Sequence, residues 1–282
     1  ENQAADQESA AAAHADGDRD GGKESEKKKG GLVASVKDGA TDVDPSKPVT
    51  VETTGKLKSV TMTNEMGVEV KEKLSKDAKT WSTAEDLGYN HTYSIVASDV
   101  DGNKKNLSFS TPQAAGVAEV SLSPIPDSEV GVGQVIGVNF GVPITDRKAA
   151  EKTITVSTNP KVEGAFHWVN NQEVRWRPKD YWEPGTKVEV KVDQYGKDLG
   201  GGIYGGENAK TNFTIGDRTV AIIDNATKTM KVFKNKKFLR AIPVSLGRDY
   251  QYDTPNGRYI IGDEYPQLLM DSETFGLSHS AG

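Results

Sequence analysis

There is no cysteine among the 282 residues. Disulfides, cysteine-ligated zinc and thiol catalysis are therefore excluded within this chain, while the compartment stays open, because exported and cytosolic proteins can both do without cysteine. Histidine is also scarce. His14, His91, His167 and His279 lie far apart in sequence and show no His-x-x-x-His or His-Glu-x-x-His spacing, which argues against a zinc site. No run approaches ~18 consecutive apolar residues, so no membrane-spanning helix is expected. No basic stripe is interleaved with aromatics, and 35 Lys+Arg against 41 Asp+Glu give a net charge of -6. Nucleic acid is therefore not an expected partner.

What is present is a polar leader followed by β-type patterning. Residues 1 to about 31 are mostly Ala, Gly, Asp, Glu and Lys and close on Lys27-Lys28-Lys29-Gly30-Gly31. Low hydrophobicity with mixed charge predicts a disordered tether. The chain length and a mean hydropathy of -0.60 suit two or three small cores better than one large one.

From about 32 to 113 the apolar period is 2, as in Val49-Thr50-Val51, Leu57-Lys58-Ser59-Val60-Thr61-Met62 and Tyr93-Ser94-Ile95-Val96-Ala97. Turn signals at Asp44-Pro45, Thr54-Gly55, Met66-Gly67 and Asp101-Gly102-Asn103 separate these runs, which predicts an antiparallel β-sandwich with Trp81 inside. Leu87-Gly88-Tyr89-Asn90 marks a corner, with Tyr89 as its tyrosine. A boundary near Thr111-Pro112-Gln113-Ala114-Ala115-Gly116 opens a second β-rich unit, about 117 to 216. There Asp146 is a candidate N-cap for a short helix through Lys152. Ala165 to Val169 and Glu173 to Pro178 read as a hairpin, with Asn170-Asn171 supplying left-handed turn residues.

Phe166, Trp168, Val174 and Trp176 share parity along that hairpin and, with Tyr181 and Trp182, form an aromatic cluster. It reads either as sandwich core plus a contact to the next unit, or as a platform on which flat rings stack against glycan. His167 falls on the opposite face. Two glycine-rich stretches are set aside as nucleotide loops. Gly131-x-Gly133-x-x-x-Gly137 has the wrong spacing, and Gly196 to Gly206 lacks a Gly-Lys-Ser/Thr end and a following helix. The second is expected to be a flexible surface loop.

The third unit starts near Asp217, with strands expected over Thr219 to Asp224, Met230 to Phe233 and Phe238 to Ser245. Thr254-Pro255-Asn256-Gly257 then reads as a turn, with Asn256-Gly257 tolerating φ > 0, feeding a β-prone Tyr259-Ile260-Ile261.

Long phrases in this chain resemble actinobacterial L,D-transpeptidases. Thr158-Asn159-Pro160, Val162-Glu163-Gly164-Ala165-Phe166, Glu173-Val174-Arg175-Trp176-Arg177-Pro178, Trp182-x-Pro184-Gly185-Thr186 and Phe213-Thr214-Ile215-Gly216-Asp217 resemble their second immunoglobulin-like domain. Leu87-Gly88-Tyr89-Asn90 resembles the first. The third-unit meander, Thr254-Pro255-x-Gly257-x-Tyr259 and Tyr265-Pro266-Gln267-Leu268-Leu269-Met270-Asp271-Ser272-x-Thr274-Phe275-Gly276 resemble the front of the catalytic domain.

The resemblance implies a mainly β fold: tether 1–31, immunoglobulin-like sandwiches 32–113 and 117–216, and a catalytic domain over 217–282 that is incomplete at its C-terminus. In the family a cysteine thiolate, activated by histidine, attacks the carbonyl between the L- and D-residues of a tetrapeptide stem. A diaminopimelate amine of a neighbouring stem then resolves the acyl-enzyme. None of those catalytic groups can be placed on this chain. Ser278-His279-Ser280 follows Gly276 too closely to stand in for them. The family's substrate-cavity positions fall on Met270 and Phe275, the latter lacking the hydroxyl of the family's usual tyrosine. The implied partners are peptidoglycan stem peptides, and carbapenem-type inhibitors where the full catalytic domain is present. No cofactor is implied, and the implied location is the cell envelope, a lipid anchor ahead of Glu1 being left open. On this reading the chain alone is inactive, and apolar positions from about 217 onward, such as Ile260, remain unburied. The alternative is a non-enzymatic, wall-associated glycan-binding or spacer protein.

Overall fold

The computed structural model describes residues 31–247, 252–261, 266 and 267. Residues 1–30 of the expected tether, 1–31, lie outside them. Mainly β structure is observed throughout, built on two separate hydrophobic cores.

The first core lies between two sheets. Its strands are β1 (Val33–Ala34), β2 (Thr50–Glu52), β3 (Leu57–Asn64), β4 (Glu72–Leu74), β5 (Thr80–Thr83), β6 (Thr92–Asp99) and β7 (Lys104–Ser110). The sheet orders are β1-β2-β5-β4 and β3-β6-β7. This is the four-plus-three order of an immunoglobulin constant-type sandwich. Period-2 patterning does the sorting. Along β6, Tyr93, Ile95, Ala97 and Asp99 turn inward while their neighbours face out. Tyr93, Ile95 and Ala97 share a core with Val49, Val51, Met62, Leu107, Phe109 and Trp81, which is 2% exposed. The Tyr93 hydroxyl accepts a hydrogen bond from the Gly88 N–H at 3.0 Å. A tyrosine at the start of this strand, bonded back to the preceding corner, is the immunoglobulin tyrosine corner. Tyr93 therefore fills the place expected of Tyr89, because it lies within β6 with its ring buried, whereas Tyr89 lies ahead of the strand.

After β8 (Gly116–Ala118), the second core is enclosed by β9 (Ser121–Ser123), β10 (Ser128–Val130), β11 (Ile136–Asn139), β12 (Ile154–Asn159), β13 (Gly164–Trp168), β14 (Glu173–Pro178), β15 (Lys187–Val192) and β17 (Ala209–Ile215). β16 (Ile203–Gly205) lies between the last two and pairs in parallel with β8. The sheets run β10-β17-β15-β12 and β13-β14-β11-β9, with β10 parallel to β17. The single helix among the described residues, α1 (Arg147–Lys152), starts where expected: the Asp146 carboxylate accepts from the Ala149 N–H at 2.9 Å. The β13–β14 hairpin also forms, pairing Phe166 with Trp176 and Trp168 with Val174. Its turn works differently from expectation. Neither Asn170 nor Asn171 has positive φ. Instead the Asn170 side-chain oxygen accepts from the N–H groups of Gln172 (2.7 Å) and Glu173 (2.8 Å). That side-chain turn removes the need for a left-handed residue.

The sheet of the third unit is the expected meander, β18 (Thr219–Asp224), β19 (Thr229–Lys234) and β20 (Lys237–Pro243). Its second turn uses Asn235 and Lys236, both at positive φ. Val220 packs against the second core. Ile222 and Ile223 are adjacent in sequence and about half exposed, as are Phe238 and Leu239, so apolar residues show on both faces of the sheet. Residues 252–261 form no strand, contrary to the β-prone reading of Tyr259-Ile260-Ile261. No backbone ladder partner for them exists among the described residues, and β propensity without a partner makes no strand. Gly257 and Asn256 also keep negative φ.

Candidate functional site

Met270 and Phe275, the two positions that the resemblance assigns to substrate binding, lie outside the described residues, as do Ser278 and His279. The described residues hold no group of three or more His, Asp or Glu that could take a metal ion. Among them no helix is long and apolar enough to cross a membrane.

The aromatic cluster divides in two. Trp182 (1% exposed) and Trp176 (7%) sit inside the second core with ring centres 5.6 Å apart, and Trp182 also meets Phe213 edge-on. The Trp182 Nε1–H donates to the Gln134 carbonyl at 2.7 Å. A ring so buried cannot stack on a sugar. Trp168 is half-buried: it stacks on Phe140, donates to Glu151 Oε1 at 2.7 Å and carries Arg147 over its face. Tyr181 alone is substantially exposed, at 43%. It faces Arg218 and Arg258. His167 is exposed on the outer face, as expected.

A second site, outside the cores, lies in the glycine-rich stretch expected to be a flexible loop. The glycine-rich stretch from Tyr195 to Gly206 is a clamp against the first sandwich rather than a free loop. The Tyr89 hydroxyl donates to the Gly205 carbonyl at 2.7 Å and accepts from the Gly196 N–H at 2.7 Å. The Tyr195 hydroxyl donates to the Leu87 carbonyl. Lys197 Nζ stands 3.8 Å from the Asp44 carboxylate. The ring of Tyr89 lies between those of Tyr195 (5.3 Å) and Tyr204 (5.4 Å). The connecting segment is tied in as well: β8 pairs with β16, Ala115 N–H donates to Gly202 O, and Asn90 Nδ2 donates to Ala114 O.

Glycine is required here for approach as much as for flexibility. Gly196 has φ +79°, and a Cβ on it would strike Asp44 Oδ1 and lie 2.9 Å from Ser46 Oγ. A Cβ on Gly205 would run into the Gln194 carbonyl. At Gly196 the backbone thus reaches the neighbouring module because a side chain is missing, and at Gly205 the same lack lets two segments of the clamp close on each other. The electrostatics follow from the packing. Burial pushes the Tyr89 phenol up to about 12, against the pull of the Gly196 N–H, and burial also raises Tyr93, Tyr195 and Tyr204. At Asp44, burial works against ionisation. The Ser46 hydroxyl and N–H, with Lys197 and Lys47, outweigh it and hold the carboxyl below its ordinary value. Tyr195, Tyr204, Asp44 and Lys197 escaped the sequence reading. The available signal was two tyrosines spaced through a glycine-rich stretch, which is unusual for a solvent loop.

Comparison with known proteins agrees with this architecture. The family described as bacterial Ig domain matches residues 40–198. L,D-transpeptidase 2 of Mycobacterium tuberculosis is 44% identical over 250 residues, covering 87% of this chain and 61% of that protein. L,D-transpeptidase 5 of the same species is 30% identical over 253 residues, covering 86% and 56%. The chain thus spans about three-fifths of the length of these relatives. The structure of the L,D-transpeptidase LdtMt1 in complex with imipenem is 33% identical and covers 57% of this chain and 68% of that one, with a TM-score of 0.49. With its immunoglobulin-like sandwiches in place, the chain belongs to the L,D-transpeptidase family.

Proposed function

We propose that this chain serves peptidoglycan cross-linking as an L,D-transpeptidase of the cell envelope. The two sandwiches, 32–113 and 117–216, form a stiff arm behind a tether at 1–31, and the arm carries the catalytic unit that begins near 217. The observation that carries this reading is the 44% identity to L,D-transpeptidase 2 over 87% of the chain, sandwiches and third unit together. The chemistry is the 3-3 linkage: thiolate attack on the L–D carbonyl of a tetrapeptide stem, then release by the amine of a second stem. Met270 and Phe275 are proposed to line the cavity for the acyl donor. Carbapenem-type compounds are proposed ligands of the complete catalytic domain, in keeping with the imipenem complex of LdtMt1.

The 282 residues contain no cysteine. A thioester acyl-enzyme therefore cannot form on them alone, and this chain by itself is proposed to be inactive. Intact-mass measurement after incubation with imipenem tests this. An unmodified mass is expected, and a stable one-to-one adduct would overturn the inactivity. The glycan-platform alternative loses ground because Trp176 and Trp182 are core residues.

A further inference from the structure

Two arginines of the third unit converge on one tyrosine of the second. Arg218, just ahead of β18, lies 5.5 Å from the centre of the Tyr181 ring, and Arg258 lies 5.9 Å from it. Each guanidinium is attracted by the ring's face, but two cations within 5.9 Å of one point repel each other. Asp217, the chain neighbour of Arg218, is taken by Lys234 at 2.9 Å and by Asn235 Nδ2 at 3.0 Å. Among the described residues neither arginine side chain has a carboxylate partner, and the Tyr181 hydroxyl has no hydrogen-bond partner. The site is shaped as well as charged. Tyr181 and Ile260 meet over Gly133, where a Cβ would lie 3.9 Å from an atom of each. Next in the chain, Trp182 anchors the backbone in the core. The junction therefore presents hydrogen-bond donors and positive charge around a half-exposed aromatic ring, with no acceptor for them among the described residues.

We propose that this junction binds an oxyanion of the phosphate type. Guanidinium forks match phosphate oxygens, and they stay charged at any working pH. A carboxylate is satisfied by one fork, whereas a phosphate presents enough oxygens and charge for two. The half-exposed Tyr181 side chain adds an aromatic surface that a sugar bearing that phosphate can meet. The proposal does not depend on the transpeptidase reading, so either can fail without the other.

The test uses the full 282-residue chain, following the arginine Nε–Hε and tyrosine ring signals by NMR during titration with inorganic phosphate, glucose 6-phosphate and acetate. Saturable shifts at Arg218, Arg258 and Tyr181 with both phosphates are expected. Arg218→Gln and Arg258→Gln should each weaken binding about tenfold, as loss of a charge-assisted pair does, while Lys191→Gln on β15 should change nothing. Arg218→Lys and Arg258→Lys keep the charge, lose the fork and should fall between; they decide the matter if either Gln variant folds poorly. Tighter binding of glucose 6-phosphate than of phosphate, lost in Tyr181→Ala, identifies a sugar-borne group. Equal binding identifies free phosphate. Linear shifts, or equal affinity in the double Gln variant, would mean an adventitious ion only and overturn the proposal. Acetate binding as tightly as phosphate would overturn it too.

Discussion

The phenol of Tyr89 in the first sandwich donates a hydrogen bond to the carbonyl of Gly205 in the second at 2.7 Å and accepts one from the N–H of Gly196 at the same distance. One side chain thus fixes two points of a backbone more than 100 residues away in sequence. With Tyr195 bonded to Leu87 and Lys197 beside Asp44, the contact has hydrogen bonds, ring packing and an ion pair in one place. Relative motion of modules is the usual expectation when the interface is small. Here the linker itself is also hydrogen-bonded to the clamp, through β8 and β16.

Gly196→Ala is predicted to open the clamp while sparing both cores. The left-handed backbone costs a residue with a Cβ about 1–2 kcal/mol, and the new methyl would meet Asp44 and Ser46. Tyr89→Phe removes one donor and one acceptor, leaving the Gly205 carbonyl and Gly196 N–H without their partner, at about 1–3 kcal/mol. Differential scanning calorimetry should show the sandwiches melting less cooperatively in both variants, with the circular dichroism of the native state unchanged.

The clamp should fail at high pH before the cores do. In a folded chain the Tyr89 phenol sits at about 12 against an ordinary 10.0, and Tyr195 and Tyr204 are raised with it. The neutral phenols thus contribute stability that is fully present below pH 10 and is lost as pH rises towards 12. Tyrosinate absorbance should show a late-titrating set that moves back towards 10 in Gly196→Ala. Asp44 acts at the other end. Its carboxyl is held below its ordinary 3.8, so its contribution is present above that value and fades as pH falls through the lowered one.

Trp182→Ala is predicted to cost about 3–5 kcal/mol, the usual loss for a large buried aromatic, and to unfold the second sandwich selectively. Trp168→Ala should cost less, about 1–2 kcal/mol, for the Glu151 hydrogen bond and the Arg147 contact. If the cluster gripped glycan, Trp168→Ala would abolish peptidoglycan pulldown with the fold intact. Burial of Trp176 and Trp182 predicts no such loss.

Legibility in the sequence followed the range of the interaction. The Asp146 cap, the β13–β14 hairpin and the β18–β20 meander are set by residues within a few positions of one another, and each was readable. The parallel pairing of β10 with β17 was not, because nothing in Ser128-Glu129-Val130 names Phe213-Thr214-Ile215 as its neighbour. Tyr89 was noticed for the wrong role. Its place in Leu87-Gly88-Tyr89-Asn90 suggests a corner, but the corner bond is made by Tyr93 inside β6, and Tyr89, ahead of that strand, reaches the glycine-rich stretch instead. That stretch looked flexible because glycine is conformationally free, and whether such freedom is used for motion or for close approach depends on a partner that local sequence does not show.

The absence of native cysteine makes the stiffness of the arm directly measurable. Spin labels on Lys58→Cys in β3 and Lys187→Cys in β15, both exposed positions, report the distance between the sandwiches by double electron–electron resonance. A clamped arm predicts one narrow distance distribution at neutral pH that broadens when Gly196→Ala is added. A broad distribution in the otherwise unaltered chain, unchanged by Gly196→Ala, would contradict the stiff arm and with it the role proposed for the two sandwiches.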